Sequence, residues 1–198
     1  MSYGKSVFGG ILLQNIYLDN SATTKVCEPA AQKILEMMTQ QYGNPSSLHA
    51  MGFYAEQEME AARREIAHVM GAGEEEIVFT SGGTEANNLA VFGAAHALRR
   101  RGNHIVTTAV EHPSVLQATQ ALEKEGFKVD YLQPDTNGRI SPDQIDQAIT
   151  EKTILVSIMT VNNETGVIFP VTAAAAAIRR KKAPALLHTC LLYTSRCV

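Results

Sequence analysis

The sequence predicts an α/β fold, a mostly parallel sheet flanked by helices. Three observations carry this. Ile154-Leu155-Val156-Ser157-Ile158-Met159 is a continuous apolar run, as a strand buried on both faces requires. Short apolar runs alternate along the chain with helical patterns, the signature of βαβ units. Ile77-Val78-Phe79-Thr80 passes through Ser81-Gly82-Gly83 straight into an alanine-rich stretch, a strand-to-helix turn of the kind parallel sheets use to hold anions.

Taken in order, residues 1–15 form an extension ahead of the domain; the stretch 6–13 is too short and too glycine-rich for a signal peptide. Leu18-Asp19-Asn20-Ser21-Ala22-Thr23-Thr24 is a polar loop leading to a helix that starts near Pro29, where a missing N–H costs nothing. Ile34, Leu35 and Met38 recur at helical spacing until Gly43-Asn44-Pro45-Ser46-Ser47 interrupts them. A second helix over residues 54–70 puts Met59, Ala62, Ile66 and Val69 on one face and Glu58, Arg63 and Arg64 on another. A strand at 77–80 precedes a helix over 84–100, whose Ala90, Gly93, Ala94, Ala95 and Ala97 let it lie close to a sheet. Then come a strand at 105–108, a helix over 115–125, a strand at Lys128–Leu132 and a turn at Asn137-Gly138. Ser141-Pro142 opens a helix with serine as cap and proline in the first turn. The strand at 154–159, a helix over 173–182 and a strand beginning at 185–188 complete the pattern.

Composition narrows the function classes. With 198 residues, 45% of them hydrophobic, and a net charge of -3, nothing points to a nucleic acid or a membrane surface as partner. Arg99-Arg100-Arg101 and Arg179-Arg180-Lys181-Lys182 fall at helix ends, where cations complement the dipole. Cys27, Cys190 and Cys197 form neither a metal-ligand spacing nor an even disulfide set, so no metal is expected and a reducing, cytoplasmic setting fits.

Ligands of open parallel sheets bind at the carboxyl ends of the strands. There this chain places Ser81, Gly82, Gly83 and Thr84; then Glu111 and His112; then Asn162, Asn163, Glu164, Thr165 and Gly166; and His188 after the last strand. Taken alone, each has a plainer reading. Gly82-Gly83 makes a tight turn, Thr84 an N-cap, and His112 bonds its own loop. Asn162-Asn163 makes a turn, Glu164 is a solvated charge, and His188 is a packed strand-end residue. Their coincidence on one rim argues for a site, and the glycine turn before a helix argues for a phosphate. Gly83 is followed by Thr84-Glu85 where a Walker loop needs lysine, and the glycines lack the G-x-G-x-x-G array of a dinucleotide fold.

Five segments carry a family resemblance: Tyr17 to Thr24, Tyr42-Gly43-Asn44-Pro45-Ser46-Ser47, Phe79 to Asn88, Glu111-His112, and Val161-Asn162-Asn163-Glu164-Thr165-Gly166. In this order they resemble the cysteine desulfurases, nearest the NifS/IscS-like branch of the class V aminotransferase group of pyridoxal-phosphate enzymes. The resemblance implies the large domain of the fold type I transferases, over residues 16–188, with pyridoxal 5'-phosphate as cofactor. Gly83 and Thr84 would bind its phosphate. His112 would stack on its ring and move protons as a catalytic residue, and Asn163 would hydrogen-bond the phenolic oxygen or the substrate carboxylate side. It further implies a homodimer that takes sulfur from L-cysteine, releases L-alanine and passes a persulfide to a sulfur acceptor, an iron–sulfur scaffold or a tRNA-thiolation partner.

The departures set expectations too. No lysine here matches the family's Schiff-base position, and Cys190 stands where the family has the aspartate that meets the pyridinium nitrogen. The loop cysteine lies beyond the matched region, so Cys27, Cys190 and Cys197 are not given its role. Residues 189–198 cease to resemble the family and are expected to be a non-native tail on a truncated N-terminal portion, inactive alone and poorly soluble. The rival readings are a selenocysteine lyase, another class V aminotransferase, or a non-catalytic fragment.

Overall fold

The computed structural model describes residues 5–8, 11–14, 16–20 and 23–191. Ser21, Ala22, Cys197 and most of the expected tail lie outside these. In the expected extension, β1 (Lys5–Phe8) and β2 (Ile11–Gln14) pair antiparallel. Then follow α1 (Glu28–Thr39), α2 (Ala50–Met70), a 3-10 turn at Glu74–Glu76 and α3 (Gly83–Leu98). The remainder runs β3 (His104–Thr108), α4 (Pro113–Lys124), β4 (Lys128–Leu132), α5 (Pro142–Ala148), β5 (Thr153–Ser157), α6 (Val171–Lys181) and β6 (Leu186–His188).

Strands β3 to β6 form one wholly parallel sheet in the order β4-β3-β5-β6. The two central strands, β3 and β5, are buried along their whole length, as strands covered on both faces are. Helices cover both faces. On one, Val91 and Ala95 of α3 and Ala118 and Leu122 of α4 pack on Ile105, Ile154 and Leu155. On the other, Ile145 of α5 and Ala174 and Ala177 of α6 pack on Val106, Val156 and Ile158. A register shift between His104 and Ile105, which pair with Thr153 and Leu155, leaves Ile154 as an extra residue on β5.

The basic clusters end helices, as their positions suggested. Lys181 Nζ donates to the carbonyls of Asp146 and Ile149 (2.7 Å to the latter) at the end of α5. Arg99 donates to the Glu125 carbonyl at 3.0 Å and lies over the Phe127 ring. No helix among the described residues is long and apolar enough to cross a membrane.

One expectation is corrected. Residues 77–80 form no strand, although Ile77 has extended backbone, and Val78 and Phe79 are 65% and 44% exposed. Apolar, β-branched composition supplies strand propensity, but a ladder needs a neighbour, and the described sheet ends at β6. The helical pattern of α1 and α2 is right, yet it marks no core: α1 buries no residue, and Val69 and Met38 are 82% and 72% exposed. What α2 does bury is its small residues, Gly52, Ala55 and Ala67. A Cβ on Gly52 would stand 2.2 Å from the Ser47 carbonyl oxygen, so glycine lets the residue 43–47 loop rest on this helix.

Candidate functional site

The order of the strands locates a crevice. From β3 the chain runs through α4 to β4 on one side; from β5 it runs through α6 to β6 on the other. The loops leaving these neighbouring strands therefore part above their carboxyl ends, a topological switch point. Side-chain ties cross between the parting loops. Glu111 Oε1, after β3, accepts the Met159 N–H at 2.8 Å and the Thr108 hydroxyl at 3.0 Å. Asn162, after β5, donates from Nδ2 to the Val110 carbonyl at 3.0 Å.

His112 caps α4 at this edge. Its Nδ1 accepts the Ser114 N–H at 3.2 Å and lies 2.8 Å from Ser114 Oγ. The same hydroxyl accepts from Nδ2 of the buried Asn87 at 2.8 Å, so its own proton points to the imidazole. With Nδ1 an acceptor twice over, the neutral ring carries its proton on Nε2. His112 does bond its own loop, here as the cap of α4, and this leaves Nε2 and the ring faces of a half-buried side chain for other partners.

Asn87 belongs to α3, one turn along from Gly83, so the chain Asn87–Ser114–His112 joins the start of α3 to the start of α4. The helix begins at Gly83 with Gly82 as its cap; Thr84 lies inside the first turn rather than capping it. Glu85 turns back to accept the Ser81 N–H and hydroxyl, each at 2.6 Å. These bonds hold its carboxyl below the usual carboxylate range. Because Glu85 serves Ser81, it leaves the N–H groups of the first helical turn unoccupied. A Cβ on Gly82 would meet nothing within 4 Å, so there is open space in front of the turn.

After β5, Asn162 and Asn163 divide their work. Asn162 is buried, and its Oδ1 accepts the N–H groups of Glu164 and Thr165 (3.0 and 2.9 Å) and the Thr165 hydroxyl (3.0 Å). The loop closes through the Val161–Ile168 bridge and through Gly166, whose φ of 72° suits glycine. Asn162 is thus the keystone of the loop, while Asn163 is exposed on it. Glu164 is also exposed. His188 accepts or donates at Nδ1 to Ser157 Oγ (2.8 Å) and burial lowers its pKa, as befits a packed strand-end residue.

Asn87 and Ser114 carry the site's geometry without having been singled out in the sequence, whereas Glu111 was placed on the rim there. Asn87 was detectable as an amide on a helix face otherwise made of Val91 and Ala95. Glu111 is 4% exposed, with Oε2 buried and unpartnered, and burial pushes its pKa up to about 7. Cys190, following β6, receives a weak bond from Asn87 Nδ2 at 3.6 Å and packs against the apolar core.

Comparisons with known proteins place the chain in a family. The family model for class-V aminotransferases matches residues 16–189. "Cysteine desulfurase IscS" of Stutzerimonas stutzeri is 49% identical over 161 residues, 80% of this chain and 40% of that protein. The chain therefore spans about two fifths of the curated relative. Among solved structures, a "NifS-like protein" superposes with a TM-score of 0.83 at 37% identity, covering 88% of this chain and 48% of that one. "SspA in complex with cysteine" gives 0.79 at 35% identity, covering 87% and 49%.

Proposed function

The chain belongs to the class-V aminotransferase family, and on that footing we propose that it is the N-terminal part of a cysteine desulfurase that uses pyridoxal 5'-phosphate. Members of this family are pyridoxal-phosphate enzymes. The observation that carries the reading is the Asn87–Ser114–His112 chain, which brings an aromatic ring with a free Nε2 to the helix start that would hold a phosphate. The donor set fits the cofactor. Among the described residues a Cβ on Gly82 would meet nothing within 4 Å, and the α3 start it precedes supplies the backbone N–H donors a phosphate needs.

When bound, the cofactor supplies an electron sink for bond cleavage next to an amino-acid nitrogen. The chain's own residues do the rest. Gly83 and Thr84 would hold the phosphate, His112 would lie against the ring and give or take a proton at Nε2, and Asn163 would offer its exposed amide to the phenolic oxygen or the substrate side. Buried Asn162 holds Asn163 in place. In the whole protein, breaking the C–S bond of L-cysteine yields L-alanine and leaves the sulfur on an enzyme cysteine as a persulfide. An iron–sulfur scaffold or a tRNA-thiolation partner then accepts it. The relatives' names and the cysteine bound to one structural neighbour support this substrate.

We expect the chain as it stands to be inactive. Its lysines match no family position for the Schiff base, and Cys190, packed against the core, stands where the family has the aspartate that meets the pyridinium nitrogen. Given L-cysteine and cofactor, it should release sulfide no faster than free cofactor does. The whole protein should form alanine from L-cysteine, and His112→Ala should lower that rate by about two orders of magnitude. Alanine formation by the whole protein that is indifferent to His112, or none at all, would refute the reading.

A further inference from the structure

Two buried side chains link the loops that leave β3 and β5, and they do so in opposite directions. Glu111, on the first loop, accepts at Oε1 the N–H of Met159, just after β5, at 2.8 Å. Asn162, on the second loop, donates from Nδ2 to the Val110 carbonyl of the first at 3.0 Å. Each stands immediately before a residue assigned to the ligand, Glu111 before His112 and Asn162 before Asn163. From this reciprocal arrangement we propose that Glu111 is a positioning residue, which together with Asn162 fixes the spacing of His112 and Asn163 across the switch point.

The surroundings suit a brace. Glu111 and Asn162 are 4% and 5% exposed, so water does not compete for either bond, and a hydrogen bond in so dry a place is stronger than at the surface. The Thr108 hydroxyl, donating at 3.0 Å, holds the same Oε1 in place for Met159. His112 is thus secured from two sides. Ser114 and Asn87 tie its ring to α3, where the phosphate would sit. Glu111 ties its backbone to the loop that carries Asn163. A ligand that reaches from α3 to both loops feels the loss of this second tie, and one that touches only the start of α3 does not. The consequence for the ligand rests on the pyridoxal-phosphate reading above; the brace between the loops does not.

Glu111→Met keeps an unbranched side chain in the same space without an oxygen to accept either donor, while Glu111→Gln keeps an acceptor oxygen for Met159 and Thr108. Amide exchange of the full chain, read by NMR, tests the brace. In Glu111→Met the Met159 amide should exchange about tenfold faster, relative to the ladder amides of Val106 and Val156 that report opening of the whole sheet. Two probes test the ligand side: pyridoxine 5'-phosphate, which has the ring but no aldehyde to react with lysines, and inorganic phosphate, which has no ring. Affinity for the first should fall about tenfold in Glu111→Met while affinity for the second holds, and Glu111→Gln should restore both exchange and affinity. A merely structural role would weaken both probes alike. Equal loss of both probes, an unchanged affinity for pyridoxine 5'-phosphate, or a Glu111→Gln variant that behaves as Glu111→Met overturns the proposal. Where Glu111→Met does not fold, Thr108→Val, which frees the carboxyl from one of its two donors, should give the same pattern at about threefold, and no change there overturns it. A wild-type chain that ignores pyridoxine 5'-phosphate defeats the cofactor reading, and the Met159 exchange still decides whether Glu111 braces the two loops.

Discussion

Burial costs the Glu111 anion more than its bonds to Met159 and Thr108 offset, which is why its pKa rises to about 7. The folded chain thus holds this proton more tightly than the unfolded chain, which releases it near 4.5. The stabilising contribution is complete below that value, declines as pH rises from there to about 7, and is absent above. A shift of this size corresponds to a loss on the order of 3 kcal/mol. Glu111→Gln keeps an oxygen for both donors and cannot ionise, so urea midpoints at about pH 5 and about pH 8 should lie closer together than in wild type. An unchanged difference would contradict this. Asn162→Ala strands the N–H groups of Glu164 and Thr165 and should cost about 2 kcal/mol, measured by urea unfolding. At this scale the sequence was legible where chemistry follows residue type, as with His112 on the rim. It was silent on which of two adjacent asparagines is buried, because that depends on the Val110 carbonyl and Met159, contributed from elsewhere in the fold.

Local signals served the elements well where they were self-contained. Ser141 and Gln144 form the reciprocal cap that Ser141-Pro142 announced, with Gln144 N–H to Ser141 Oγ at 3.1 Å and Ser141 N–H to Gln144 Oε1 at 2.9 Å. Ser141→Ala should lower thermal stability by about 1 kcal/mol, with no effect on ligand binding. The strands of the sheet and the five long helices were legible for the same reason: periodicity, caps and turns lie within each segment. Residues 77–80 were misread because pairing is a property of two segments, and only one of them is in the pattern. The apolar stripe of α2 marked the helix correctly, but a stripe such as Ile66 and Val69 does not name what covers it.

For the whole molecule, the uncovered faces have a direct consequence. Ile34, Leu35 and Met38 of α1 and Val69 and Met70 of α2 all lie more than half exposed. Surfaces of this kind drive association. Light scattering across a dilution series should show self-association that rises with concentration and with sulfate; a monodisperse monomer at all concentrations would contradict it. Architecture was the most legible level of all, because alternating strand and helix patterns leave few ways to build a parallel sheet. The switch point between β3 and β5 was not, since strand order depends on which way each crossover turns. The claim that most else depends on is that the start of α3 and the His112 ring serve one phosphorylated aromatic ligand. Titrating the purified chain with pyridoxine 5'-phosphate, with inorganic phosphate as competitor, tests it most directly. The account predicts saturable binding that phosphate displaces and that His112→Ala weakens by about tenfold. Binding that neither phosphate nor the loss of His112 alters, or no saturable binding, would contradict it.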